Sequence, residues 1–112
     1  MAVSIAAEAI RARELGQLTD ADIARATGVS RKTAHAWLAG TREPTGERAE
    51  RLLELSALVE RLAAVIRPDY IPIWLRKPVP LLEEDKPLDV IAAGGYRRVA
   101  ELISGLEDPG AS

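Results

Sequence analysis

Residues 20–39 read DADIARATGVSRKTAHAWLA, and this stretch decides the fold. Two helices packed at a steep angle around a short turn need a small residue where they touch, and Ala24 supplies it. The turn needs a residue tolerant of positive φ; Gly28 stands four positions on. Val29 follows as the apolar residue after the turn, Ile23 faces it from the first helix, and Ala34, Trp37 and Leu38 mark the inner face of the second. Thr19 or Asp20 offers the first N-cap and Ser30 the second. The spacing predicts a helix-turn-helix.

Outward from this motif, every apolar pattern is helical. Residues 3–15 place Ile5, Ala9 and Ala12 on one face with Ile10 beside them, and Gly16 reads as the helix stop. Residues 46–66 form one long helix with a stripe of Leu52, Leu55, Val59, Leu62 and Ile66, widened by Ala49, Leu53, Ala63 and Ala64. So wide a stripe predicts burial against more than one neighbour, and it is one candidate surface for self-association. Four prolines break residues 67–80 into a short helix over residues 71–76 and an extended turn. Residues 83–86 read as a polar link and Pro87 opens another short helix ending at Gly94 and Gly95. Residues 96–106 form a last amphipathic helix, and residues 105–112 read as a polar tail. The expectation is an all-α protein: a helix-turn-helix bundle with its long connecting helix over 1–66, then a small helical domain over 67–112.

Composition removes whole classes of function. There is no cysteine and one histidine, His35, so thiol catalysis, a disulfide scaffold and a multi-histidine metal site are excluded. No nucleophile–base pair exists for an enzyme to use, and no pattern calls for a cofactor. The acidic run Glu83, Glu84 and Asp85 lacks ligand spacing and reads as a solvated loop rather than a cation site. No apolar run approaches a membrane span and no signal peptide is evident, so a cytoplasmic protein without membrane contact is expected.

The net charge of −2 speaks against nucleic acid until its distribution is examined. Residues 23–42 hold Arg25, Arg31, Lys32 and Arg42 and no acid, whereas residues 49–112 carry eight basic and eleven acidic side chains. The second helix of the motif would present Ser30, Arg31, Lys32, His35 and Ala36 to a major groove. Arg31 has the donors to pair with guanine, while Lys32, Arg42 and the helix start suit phosphates. His35 reads as a base or phosphate contact. The bland alternative is a solvated basic face. Because one helix-turn-helix reads a half-site, an oligomer is expected.

The C-terminal half, WLRKPVPLLEEDKPLDVIAAGGYRRVAELISGLEDP, resembles the toxin-binding region of the Xre/MbcA/ParS-type antitoxins. Trp74 and Leu75 followed by Pro78 carry the likeness, then Leu81 and Leu82, then Pro87, Leu88 and Asp89. The Gly94–Gly95 turn and a helix with Arg98, Val99, Leu102 and Ile103 complete it. Pro78-Val79-Pro80 departs from the family, which often has a proline followed by a polar residue.

The resemblance implies a non-enzymatic inhibitor of a RES-domain toxin that consumes NAD⁺, and a repressor of the shared operon at operator DNA. It implies that the last helix and tail reach toward the toxin's NAD⁺ pocket. Anchoring contacts are then expected from Trp74, Leu81, Leu82, Tyr96, Val99 and Ile103, with Leu106 and Asp108 beyond them. Arg97 and Arg98 would meet acidic groups. A stand-alone repressor with a helical dimerisation domain is the other reading.

Overall fold

Capping residues set the helix boundaries. In the computed structural model, which describes residues 4–108 and 110, seven α-helices follow one another. They are α1 (Ile5–Gly16), α2 (Asp20–Thr27), α3 (Arg31–Leu38), α4 (Gly46–Ala63), α5 (Ile71–Arg76), α6 (Pro87–Ala92) and α7 (Tyr96–Glu107). Thr19, not Asp20, caps α2. Its backbone N–H donates to the Asp22 carboxylate at 2.9 Å, and the Asp22 N–H donates back to the Thr19 hydroxyl at 3.2 Å. Ser30 caps α3 by accepting from the Thr33 N–H at 3.1 Å. The cap of α1 is tertiary: Glu43, from the loop after α3, accepts from the Ala6 N–H at 3.0 Å and from the Ser4 hydroxyl.

Gly16 does not stop α1 in the expected manner. It is the last helical residue, and the left-handed position passes to Gln17 at φ 53°. Glycine is required at 16 for a different reason: a Cβ there would stand 2.9 Å from Val59 Cγ1, so it lets α1 lie directly on α4. At the α2–α3 turn glycine does have its expected role, with Gly28 at φ 76°.

Helix α4 ends at Ala63 rather than Ile66. Pro68 bars helix at the residue before it, and Arg67 is accordingly extended at ψ 140°. Leu52, Leu55, Leu58, Val59 and Leu62 are wholly buried, whereas Leu53 and Ala64, expected to widen the stripe, face solvent. The stripe is consumed inside the chain, between α1 and α2 on one side and α5, α6 and α7 on the other. Its fully buried leucines and Val59 are therefore not free for self-association.

Residues 83–86 are a tight loop rather than an open link. Val79 pairs with Asp85, the Val79 N–H donating to the Asp85 carbonyl at 3.1 Å, and Glu83 and Glu84 turn the chain at φ 58° and 68°.

One core runs through all seven helices. It joins Ala9, Ala12, Ile23, Ala34 and Trp37 to Ile71, Leu75, Leu82, Leu88, Ile91, Val99 and Ile103 through the α4 stripe. Chain position 66–68 is a change of direction; the packing continues across it.

Candidate nucleic-acid interface and partner face

The motif packs as its residue types require. Ala24, Ala34 and Trp37 are buried at the α2–α3 contact, with Val29 and Leu38 half-buried around them. This leaves Ser30, Arg31, Lys32 and His35 exposed along the outside of α3. Arg42 lies just beyond it, with a 3.4 Å hydrogen bond to the Thr33 hydroxyl. The five expected nucleic-acid contacts are thus all exposed on or beside α3.

His35 is not independent on that face: its Nδ1 lies 3.0 Å from a carboxylate oxygen of Asp20, so an acid outside the acid-free segment reaches into it. Among the described residues, Arg31, Lys32, Arg42 and Arg48 have no carboxylate within ion-pair distance. Arg25 behaves differently. It forms a two-point pair with Asp89 of α6, at 2.5 and 2.9 Å.

A second two-point pair crosses nearby: Arg76, at the end of α5, donates to both carboxylate oxygens of Asp22 at 2.8 and 2.5 Å. Burial works to raise the Asp22 carboxyl, but the Arg76 hydrogen bond and the Thr19 N–H outweigh it and hold the group below the usual carboxylate range. Both pairs tie the recognition motif to the C-terminal helices, and sequence reading found neither. Partners 54 and 64 positions apart leave no local signal.

The expected partner contacts divide into two sets. Leu82, Val99 and Ile103 are sealed in the chain's own core at about 1% exposure or less, so as placed they support the surface and cannot anchor a partner. Leu81 is 79% exposed and, with Arg98, Glu101 and Leu102, lines a depression of about 270 Å³ whose floor includes the buried Leu82. Trp74 and Tyr96 are half-buried against the core; Arg97, Leu106 and Asp108 are exposed.

The polar tail starts later than expected, because α7 continues to Glu107, whose carboxylate accepts from Arg61 at 3.0 and 2.5 Å. That hydrogen bond, rather than apolar burial, fixes the helix end and lowers the Glu107 carboxyl. The tail residues Pro109, Ala111 and Ser112 lie outside the described residues.

Helices α2 and α3 packed together around the Gly28 turn, exposed cations on α3 and a helical body define a helix-turn-helix protein, and the helix-turn-helix family model matches residues 10–55. Relatives extend the match over most of the chain. The mycobacterial cidal antitoxin MbcA of Mycobacterium tuberculosis and of Mycobacterium bovis is 33% identical over 95 residues, 85% of this chain and 77% of MbcA. A second, probable mycobacterial cidal antitoxin of M. tuberculosis is 31% identical over 103 residues, covering 92% of this chain and 88% of its own length.

A chain in the crystal structure of the M. tuberculosis MbcT–MbcA toxin–antitoxin complex superposes with a TM-score of 0.83. It is 29% identical and covers 99% of this chain and 100% of that one. The chain belongs to the MbcA family of antitoxins.

Proposed function

We propose that the chain is the antitoxin of a RES-domain, NAD⁺-consuming toxin, which it binds through its C-terminal helices and blocks with the tail that follows them. We further propose that it represses its own operon through α2 and α3, as a homo-oligomer on operator DNA and as a hetero-oligomer with the toxin. The observation that carries this reading is the extent of the likeness to MbcA: it spans both the recognition motif and the C-terminal helices at a TM-score of 0.83. Two surface features support it. The unpaired cations of α3 suit phosphate and guanine, and Leu81 with Leu102 offers apolar surface beside Arg98. Exposed pairs made by Arg97 or Arg98 would add little energy, so the apolar groups should dominate.

The test is co-purification of a tagged chain with the product of the neighbouring gene, followed by an NAD⁺ assay on the complex. Retention of the partner with NAD⁺ consumption suppressed supports the reading; a chain that shifts DNA but retains no toxin is the stand-alone repressor instead. A chain ending at Asp108 keeps the Arg61–Glu107 pair and should bind toxin yet restore NAD⁺ consumption. Full inhibition by that chain would place the blockade in the helical body.

A further inference from the structure

Two cavities meet beside the α2–α3 turn. The larger, about 480 Å³, is walled by Gly28, Thr45, Arg42, Arg48 and Arg51, with the acid Glu47 also on its wall. The smaller, about 250 Å³, runs from Gly28 to Ser30 and Thr33, again between Arg42 and Arg48. The three arginines are not equivalent. Arg51 is satisfied by Glu54 at 2.7 Å and Glu47 at 3.3 Å, so its charge is spent within α4. Arg42 and Arg48 have no acid within ion-pair distance among the described residues, and each makes one hydrogen bond to a neutral oxygen. Arg42 donates to Thr33, and one Arg48 Nη donates to the Gly28 carbonyl. A guanidinium carries five donors, so most of both forks remain open toward the cavities.

Resting on the DNA-binding reading above, we infer that Arg48 and Arg42 form a clamp for one backbone phosphate of duplex DNA, flanking the groove that α3 enters. Arg48 is the contact that the charge pattern of residues 23–42 misses, because it lies past Glu43 and Glu47. The geometry favours a phosphate over a base: both arginines lie off α3, beside the Gly28 turn that follows α2, and in a helix-turn-helix the first helix crosses the backbone while the second reads base edges. Planar forks meet phosphate oxygens in two-point contacts. Gly28 helps seat Arg48, since a Cβ at that position would approach its Nη1 to 3.3 Å.

The experiment is a fluorescence-anisotropy titration of the full chain with a duplex from upstream of its own gene, and with an unrelated duplex, across about 50 to 200 mM salt. Arg48→Ala and Arg42→Ala should each lower the slope of log K against log salt by about 0.9 and weaken both duplexes equally. Arg48→Lys should keep the slope while losing affinity several-fold, because charge stays and the fork goes. An unchanged slope in Arg48→Ala, with or without weaker binding, overturns the clamp and leaves Arg48 as a brace for the Gly28 turn. Inorganic phosphate at matched ionic strength tests the occupant: displacement of duplex from wild type at low-millimolar phosphate, but not from Arg48→Ala, overturns the duplex assignment in favour of free phosphate. A wild-type chain that binds neither duplex overturns the DNA reading itself, and the clamp with it.

Discussion

Arg31 and Lys32 are neighbours with different work. Arg31 stands in the first turn of α3 with its fork unpaired, so Arg31→Ala should cost about 1–3 kcal/mol on the operator and relax preference at one base pair. Lys32→Ala should weaken all sequences alike and reduce the salt slope by about 1. A gel-shift series across salt checks both, and identical behaviour of the two variants would remove α3 from the groove. Gly16 is the structural counterpart at this scale. Alanine there gains about 1 kcal/mol of helix propensity but drives its Cβ into Val59, a stiff β-branched side chain. Overpacking of that kind typically costs about 1–3 kcal/mol, so Gly16→Ala should lower the melting temperature. Adding Val59→Ala should make the pair less destabilised than the sum of the singles; additive losses would mean the contact is not what glycine serves.

The ends of helices carry much of the electrostatics. Asp22 closes the capping box of α2 and holds Arg76 of α5, and its pKa lies below the ordinary 3.8. A carboxyl depressed in the folded state stabilises fully above its unfolded pKa, and that stability is lost as pH falls through the folded value. Chemical denaturation between pH 6 and pH 3 (bracketing the unfolded value near about 3.9) should therefore show stability falling in acid. Asp22→Asn should be less stable at pH 6 by about 1–3 kcal/mol and show a shallower fall. An unchanged acid profile would assign the loss to other carboxylates, Glu43 and Glu107 among them, which are also depressed.

As a whole the molecule has a radius of gyration of 13.5 Å, close to the ~13 Å expected of one compact unit of this length. Helix α4 is the shared wall, and its buried leucines are sealed from both halves of the chain. A fragment of residues 1–66 should expose part of that stripe and lose the Arg25–Asp89 and Asp22–Arg76 pairs. Circular dichroism should show it largely unfolded or associated at the concentration where the full chain melts cooperatively. A monomeric, cooperatively melting fragment would make the recognition motif an independent domain.

The sequence alone determined the local structure. Gly28, Ala24, Val29, Trp37 and the cap at Ser30 mark a helix-turn-helix because each position is set by a neighbour within a turn or two of chain. The proline-broken elements over 71–76 and 87–92 were legible for the same reason. The cationic face was legible too, since exposure on α3 follows from its period. Only the tertiary structure decided which of the later apolar residues face outward: Leu81 and Leu82 are adjacent and equally apolar, yet one is open and the other sealed. It also decided that the buried leucines of α4 form an internal wall, and that Arg25 and Arg76 fasten α2 to α5 and α6. Those outcomes depend on partners dozens of residues away, and side-chain burial or ion pairing at that separation leaves no trace in local periodicity.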